Sequence, residues 1–428
     1  MSIRTEENTA AYAPPGPGRS PGSAAPPRDA PEQAVRGLSD ALFGSFPRRD
    51  QRRKGELYLR GLLLAEGRKT IRNIGAHVGG AGMEQSLHHF ISSSTWDWMP
   101  VRRALAGYVR TVSSPHLWVV QPMPIPKAGD RSVGVHEDVD PGTEKAFHGQ
   151  RAFGLWHVSD ALDVPVHWRL YLPEPWLRDP ARRCRAEIPD EAPEETWEQC
   201  AAATVLRPMA DWRLAPRPVV LNAPVDRIAD TLGRFTAAGV PVVARVSGTA
   251  PLTVRDPALA RHAGRTYGAQ QILALAKGLR RRVDRPGPAG SPGIHGTSWA
   301  VGVRVGTAGR FAGPGQTGPG DGTGSAGACG SGIPGGNGGN LLLLGELEEP
   351  RLQPTRCWIT NMEAFPVRSL LRVTDLAGRV GRALDGTGEG VGLKDFDGRS
   401  FRGWHRHVTL ASAAHAATSL AGTVVPWG

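Results

Sequence analysis

The most constraining part of the chain is the C-terminal stretch from Leu393 to Leu410, where charged, aromatic and imidazole side chains follow one another closely. Its distinctive members are Asp395, Asp397, Arg399, Arg402, Trp404, His405 and His407. Two short apolar runs lie upstream, Leu117–Val120 and Val219–Leu221, and both are typical of buried strands. Each run is followed by an amide side chain, Gln121 in the first case and Asn222 in the second.

These segments resemble the DDE-type transposases of insertion sequences, a family with an RNase H-like fold. The family pattern at the C-terminus has an acidic residue, an arginine, Gly-Trp and a closing Thr-Leu, which correspond here to Asp397, Arg399, Gly403-Trp404 and Thr409-Leu410. Further likeness comes from Pro126-Lys127-Ala128-Gly129 and from the segment between Trp168 and Trp176. The resemblance spans roughly residues 40 to 420, with gaps.

The resemblance implies where the catalytic carboxylates belong. The family places its first Asp after the strand that corresponds to Leu117–Val120, and its second after the strand that corresponds to Val219–Leu221. This chain has Gln121 and Asn222 at those positions, and Asp397 stands where the family usually has Glu as the third metal ligand. Two of the three metal-binding carboxylates are therefore predicted to be replaced.

DNA strand transfer is a phosphoryl transfer in which two metal ions hold the attacking and leaving oxygens. Magnesium prefers carboxylate oxygens, and neutral amides at 121 and 222 supply neither charge nor good ligands. Mg²⁺ or Mn²⁺ is expected as the cofactor only if the protein is active. The open alternatives are that Asp130 or Asp226 reaches the centre, or that Asp395 replaces Asp397; such displaced carboxylates are usually solvated turn residues.

An excess of basic residues favours DNA as the partner. The chain has 51 Lys and Arg against 40 Asp and Glu, a formal charge of +11, which suits phosphate contacts with counterion release. Biased codon usage would give the same composition. The predicted DNA-binding residues are Lys127, Arg399, Arg402, His405, His407, Arg52, Arg53 and Lys54. The two histidines are assigned either to phosphate contact or to a structural role.

The predicted fold is α+β: an RNase H-like mixed sheet with flanking helices, preceded by an N-terminal helical domain. Residues 1–35, rich in Pro, Ala and Gly, are predicted to be a disordered tail. Residues 36–113 are predicted to be helical and to include a possible helix-turn-helix for DNA, with a plain helical bundle as the alternative. Residues 114–428 form the transposase domain, interrupted by a flexible Gly-rich insertion at 306–340. A helix is predicted over about 268–283.

Cysteine spacing and hydropathy bear on location. The four cysteines are far apart and contain no Cys-x-x-Cys pair, which argues against a zinc ribbon and a disulfide framework. No apolar stretch has membrane-spanning length, so the protein is expected in the cytoplasm, associated with the nucleoid and without membrane contact. Assembly into a homo-oligomer is left open.

The sequence thus predicts a DNA-binding transposase-family protein of an insertion element whose catalysis is impaired. Two alternatives remain open: an active transposase or nuclease with relocated carboxylates, and a non-enzymatic DNA-binding regulator that keeps the scaffold. Inverted repeats beside the gene would favour descent as a mobile element over a regulatory role.

Overall fold

The computed structural model describes residues 30–80, 82–140, 145–285, 296–307, 341–348 and 353–423. Its α-helices are α1 (Ala30–Phe43), α2 (Arg49–Leu64), α3 (Ile71–Val78), α4 (Met83–Ser92), α5 (Trp98–Val112), α6 (Glu174–Arg178), α7 (Pro180–Ala186), α8 (Trp197–Asp211), α9 (Ile228–Ala237), α10 (Ala269–Leu275), α11 (Val367–Ala383) and α12 (Phe401–Thr423). Its strands are β1 (Leu117–Pro126), β2 (His136–Val139), β3 (Ala146–Val158), β4 (Asp163–Leu170), β5 (Val219–Leu221), β6 (Val242–Val246), β7 (Pro251–Val254), β8 (Thr266–Gly268), β9 (Arg281–Arg285), β10 (Gly296–Thr307), β11 (Leu341–Glu348) and β12 (Gln353–Thr360).

Five strands form the centre of the sheet in the order β4-β3-β1-β5-β6. The first three are joined by antiparallel pairing, whereas β5 lies parallel to β1 and β6 parallel to β5. Three antiparallel strands followed by two parallel ones is the RNase H-like order, so the predicted fold class is confirmed. The apolar runs of β1, β5 and β6 are almost wholly buried, as expected of strands covered on both faces.

Strands β7 to β12 enlarge this sheet beyond β6. They continue it in the order β12-β11-β10-β7-β8, and β9 pairs with β10. The chain then returns through α11, which packs on β1, β5 and β10. The predicted Gly-rich insertion lies in this region, and residues 308–340 of it are outside the described residues. Gly306 and Thr307, assigned to the insertion, are instead the last residues of β10, paired with β7.

The predicted helix over about 268–283 is wrong in its second half. Helix α10 ends at Leu275, and Arg281–Arg285 is the strand β9. Main-chain pairing with β10 satisfies the backbone of this segment and outweighs the helical preference of arginine. The side chain of Arg280, just before the strand, lies 5.1 Å above the ring of Trp299.

The N-terminal helices and the sheet share one apolar core through α12. Residues 403–417 of this helix are all buried, because α1, α2, α4 and α5 cover it on one side and β4 on the other. The N-terminal helical part is present as predicted, but the predicted boundary at 113/114 crosses a continuous core. Helix α1 also begins at Ala30, inside the predicted tail, because Val35 buries its side chain there.

Candidate functional site

Gln121 and Asn222 meet at the place where β5 ends beside β1. The parallel register pairs Val120 with Leu221, and the N–H of Asn222 donates to the carbonyl of Val120 at 3.0 Å, which continues the ladder by one residue. Equivalent positions on neighbouring strands lie about 5 Å apart. The Asn222 Nδ2 group accordingly donates to Gln121 Oε1 at 2.7 Å. The structure therefore brings these two predicted positions together.

The amide pair does not fit a divalent metal. Asn222 uses its N–H to bind the Gln121 oxygen, and Gln121 Nε2 donates to the Pro122 carbonyl at 3.3 Å. Neither side chain carries charge, and the one Gln121 oxygen that faces the pair already accepts from Asn222, whereas a dication requires several oxygen lone pairs. Among the described residues no group of three or more His, Cys, Asp and Glu side chains could hold a metal ion. We therefore assign no metal-dependent step to this pair.

Asp397 forms its ion pair with a residue outside the amide pair. Its carboxylate forms an ion pair with Arg68 at 2.6 Å, and about half of its side chain is exposed. Lys127 Nζ donates to the carbonyl of the preceding Phe396 at 2.7 Å. Lys127 follows the end of β1, six residues beyond Gln121, which is roughly 20 Å at the rise of a strand. No hydrogen bond or ion pair joins Asp397 to Gln121 or Asn222 among the described residues, and their convergence stays a prediction.

The position of Asp397 is set by the segment that precedes α12. Asp395 accepts from the N–H of Lys69 at 2.8 Å, and the carbonyl of Arg399 accepts from the N–H of Val133 at 3.3 Å. These bonds hold the segment beside the start of α3 and beyond the end of β1. Asp397 there lines a cleft of about 460 Å³, whose other members are Arg68, Lys127, Ala128, Gly129, Asp130, Arg131 and Ser132.

The displaced carboxylates do not assemble a replacement site. Asp130 shares the cleft of Asp397, but its side chain is mostly exposed and lies 3.2 Å from His148 Nε2. Asp226 lines a different cleft, and Asp395 is engaged with the Lys69 backbone. The alternative of relocated carboxylates therefore finds no support in the described part of the chain.

A second cleft, of about 530 Å³, opens at the carboxyl ends of β5 and β6, close to Asn222. Arg245 lies one strand over from Asn222 in the sheet register, and Arg151 and Arg356 also line the cleft. Arg151 is paired with Asp138 at 2.5 Å. Burial alone would raise the pKa of Asp138, but the hydrogen bond from His136 and the charge of Arg151 lower it. These arginines are absent from the predicted site, although Arg245 interrupts the apolar strand β6 and is a signal visible in the sequence.

His405 and His407 are not DNA contacts. Both are almost fully buried in α12, and burial lowers the pKa of each. Arg102 Nη2 donates to His405 Nδ1 at 3.1 Å, whereas His407 Nδ1 lies 2.8 Å from the hydroxyl of Tyr58. The prediction of phosphate contact is wrong because neighbouring elements cover α12 on all sides, so two histidines near its start have no access to solvent. The alternative prediction, a structural role for both histidines, agrees with these contacts.

The remaining predicted DNA-binding residues differ in how accessible their charged groups are to DNA. Arg399, Arg402 and Arg53 are exposed. Arg52 is exposed too, although its Nε donates to the Phe46 carbonyl at 2.8 Å. Lys54 lies 3.7 Å from Asp50. Lys127 is partly buried, which lowers its pKa, while the charge of Asp397 opposes that shift. Free basic groups are thus found at the start of α2 and the start of α12.

Helices α3 and α4 pack against each other across a glycine-containing turn, as a helix-turn-helix requires. Thr70 caps α3 by accepting from the N–H of Asn73 at 3.1 Å. The outer face of α4 exposes Glu84, Gln85, His88 and His89.

In the described residues no helix is both long and apolar enough to cross a membrane.

Comparison with known proteins adds a family. The family model described as DDE superfamily endonuclease matches residues 41–292, a range that contains Gln121 and Asn222 but not Asp397. No curated protein matches the chain significantly. The solved structure of a piggyBac transposase synaptic complex with hairpin DNA is similar with a TM-score of 0.39 and 9% identity, over 94% of this chain and 76% of that chain.

Proposed function

Because the chain belongs to the DDE superfamily endonucleases, we propose that it is a transposase-family protein of an insertion element that binds duplex DNA and cleaves it poorly or not at all. The observation that carries the proposal is the hydrogen bond between Asn222 and Gln121. Two neutral amides occupy the place that needs two carboxylates for a metal-dependent phosphoryl transfer.

The proposal of DNA binding has a separate basis in charge. The formal charge of +11 attracts a polyanion, and three arginines, Arg53, Arg399 and Arg402, are exposed near the starts of α2 and α12. Binding through phosphates would be steeply salt-dependent, because each neutralised phosphate releases condensed counterions.

The test is a paired assay on one labelled duplex that carries the sequence flanking the gene. Strand cleavage is measured with Mg²⁺ and with Mn²⁺, and binding is measured over a range of salt concentrations. We expect binding that weakens with salt and no cleavage above the metal-only background. Cleavage by the unchanged protein that Asp397→Ala abolishes would overturn the proposal of impaired catalysis.

Matched arginine variants separate a DNA-binding surface from net charge. Arg53→Ala combined with Arg402→Ala should weaken binding and reduce its salt dependence by about one counterion per lost phosphate contact. Arg261→Ala combined with Arg265→Ala removes two exposed charges from the enlarged part of the sheet and should have little effect. Equal weakening by both pairs would show that net charge alone governs binding.

A further inference from the structure

A pocket of about 420 Å³ lies between the N-terminal helices and the sheet, away from the amide pair and from Asp397. Its walls come from α5, β4, the end of α8 and the start of α12. Aromatic rings form much of the lining: Trp98, Trp168, Trp212 and Phe401. Trp98 stacks parallel to His405, with ring centroids 4.9 Å apart, so the aromatic wall is held in place by packing.

Arg102 gives this pocket a buried positive charge. It is 1% exposed and lines the pocket, and its hydrogen bonds go to neutral groups: Thr409 Oγ1 at 2.7 Å, the Trp168 carbonyl at 2.7 Å, and Nδ1 and the carbonyl of His405 at 3.1 Å. These four contacts leave one of its five N–H groups without an acceptor. Within the described residues Arg102 forms no ion pair. A buried cation without a counter-charge is costly unless an anion joins it.

A second buried polar atom is also without a partner. His167 is 5% exposed, lines the same pocket, and its Nδ1 forms no hydrogen bond within the described residues. Trp212 meets the ring of His167 edge-on with centroids 5.2 Å apart. A neutral imidazole nitrogen of this kind accepts or donates one hydrogen bond, according to its tautomer.

The other charged residues of the lining do not neutralise Arg102. Glu195 is paired with Arg169. Glu191, Asp211 and Arg207 are exposed, so they lie where the pocket meets solvent. The inner part of the pocket therefore combines aromatic walls with one buried positive charge that forms no ion pair among the described residues and is opposed only at longer range by Asp97.

We propose that this pocket binds a small planar aromatic monocarboxylate, with its ring between Trp98 and Trp212 and its carboxylate towards Arg102 and His167. Pocket volume, aromatic lining and a few convergent polar groups are the usual features of a small-molecule site. Charge-assisted hydrogen bonds from a guanidinium are stronger than neutral ones, so the acid should bind more tightly than a neutral compound of the same shape.

The probe is 2-naphthoate, and 2-naphthamide is its neutral match; both are titrated into the full chain by calorimetry. We expect one site, with naphthoate binding about tenfold or more tightly than the amide. Ala192→Phe places a ring in the lining and should weaken naphthoate binding by about tenfold or more. Ala210→Phe makes the same change on an exposed part of α8 that does not line the pocket, and should leave binding unchanged.

Three outcomes would overturn the proposal: no binding of naphthoate, equal binding of the acid and the amide, or equal binding by the Ala192→Phe and unchanged proteins. Thermal unfolding of each variant shows whether it is folded. The comparison between acid and amide needs no variant, so it decides the matter even if Ala192→Phe fails to fold.

Discussion

At the scale of single residues, the amide pair and the buried histidines define what this chain can do. Gln121 and Asn222 keep the polar contact between β1 and β5 without charge. His157, His167, His405, His407 and His415 are all buried, and burial lowers the pKa of each. The amide pair bears on metal binding, whereas the buried histidines bear on how the stability of the fold depends on pH.

Replacing both amides should create a metal site at a place where the described residues offer none. In the double variant Gln121→Asp, Asn222→Asp, two carboxylates would face each other across strands about 5 Å apart, a separation that one Mn²⁺ can bridge. We expect Mn²⁺ binding at least about tenfold tighter than in the unchanged protein, measured by electron paramagnetic resonance of free Mn²⁺. Each single variant is the control, since one carboxylate should bind far more weakly. Equal Mn²⁺ binding by all four proteins would contradict the assignment.

Acid should destabilise the fold through its buried histidines. Burial lowers the pKa of His415 to about 4, well below the ordinary value of a histidine. Below about pH 6.5 the unfolded chain takes up a proton that the folded chain refuses, so stability falls as pH falls. At pH 5 the loss is about 2 kcal/mol for such a histidine. Urea unfolding at pH 7 and pH 5 measures it.

His415→Leu should remove about that much of the difference in stability between pH 7 and pH 5. The matched control is His88→Leu, which removes an exposed imidazole from α4 in place of a buried one. An unaltered pH dependence in His415→Leu would show that this histidine is not buried in its neutral form.

At the scale of elements, α12 connects the two parts of the molecule. Its pattern carries no exposed face over residues 403–417, which is characteristic of a central helix and not of an amphipathic surface helix. Trp168 Nε1 on β4 donates to Ser412 Oγ at 2.8 Å, and Arg406 donates to the carbonyls of Ile91 and Trp96. Helix α12 therefore bonds to the sheet on one side and to the N-terminal helices on the other.

A cavity in α12 should weaken both parts of the protein together. Leu410 is fully buried, and Leu410→Ala should lower the free energy of unfolding by about 2–5 kcal/mol. Tryptophan fluorescence and far-ultraviolet circular dichroism should follow the same shifted denaturation curve. Thr418→Ala, on an exposed position of the same helix, is expected to change stability by less than about 1 kcal/mol. Separate transitions in Leu410→Ala would show that the two parts unfold independently.

At the scale of the whole molecule, the chain is a single core built around an RNase H-like sheet. The N-terminal helices bury their apolar faces on α12, which belongs to the C-terminal end of the sequence. The family match ends at residue 292 and includes neither α11 nor α12. The elements that complete the fold thus lie outside the segment that identifies the family.

The N-terminal helical part should not fold alone. A fragment of residues 30–113 lacks α12, so its buried residues Leu38, Leu59 and Leu105 lose a large part of their packing. We expect weak helicity and no cooperative thermal unfolding by circular dichroism, with the full chain as the reference. Cooperative unfolding of this fragment would establish residues 36–113 as an autonomous domain, as the sequence analysis had assigned it.

The fold class and the neutral character of the amide pair follow from the order of the residues along the chain. Apolar runs indicate buried strands, and two such runs are followed by Gln121 and Asn222. These two side chains meet because β1 and β5 are parallel and in register. The tertiary structure alone decided the place of Asp397 and the burial of His405 and His407. A motif gives the spacing of its residues along the chain but not the direction in which each side chain points. The packing of α12 buries the two histidines. The hydrogen bonds of Lys127 and Lys69 determine where the segment with Asp397 lies.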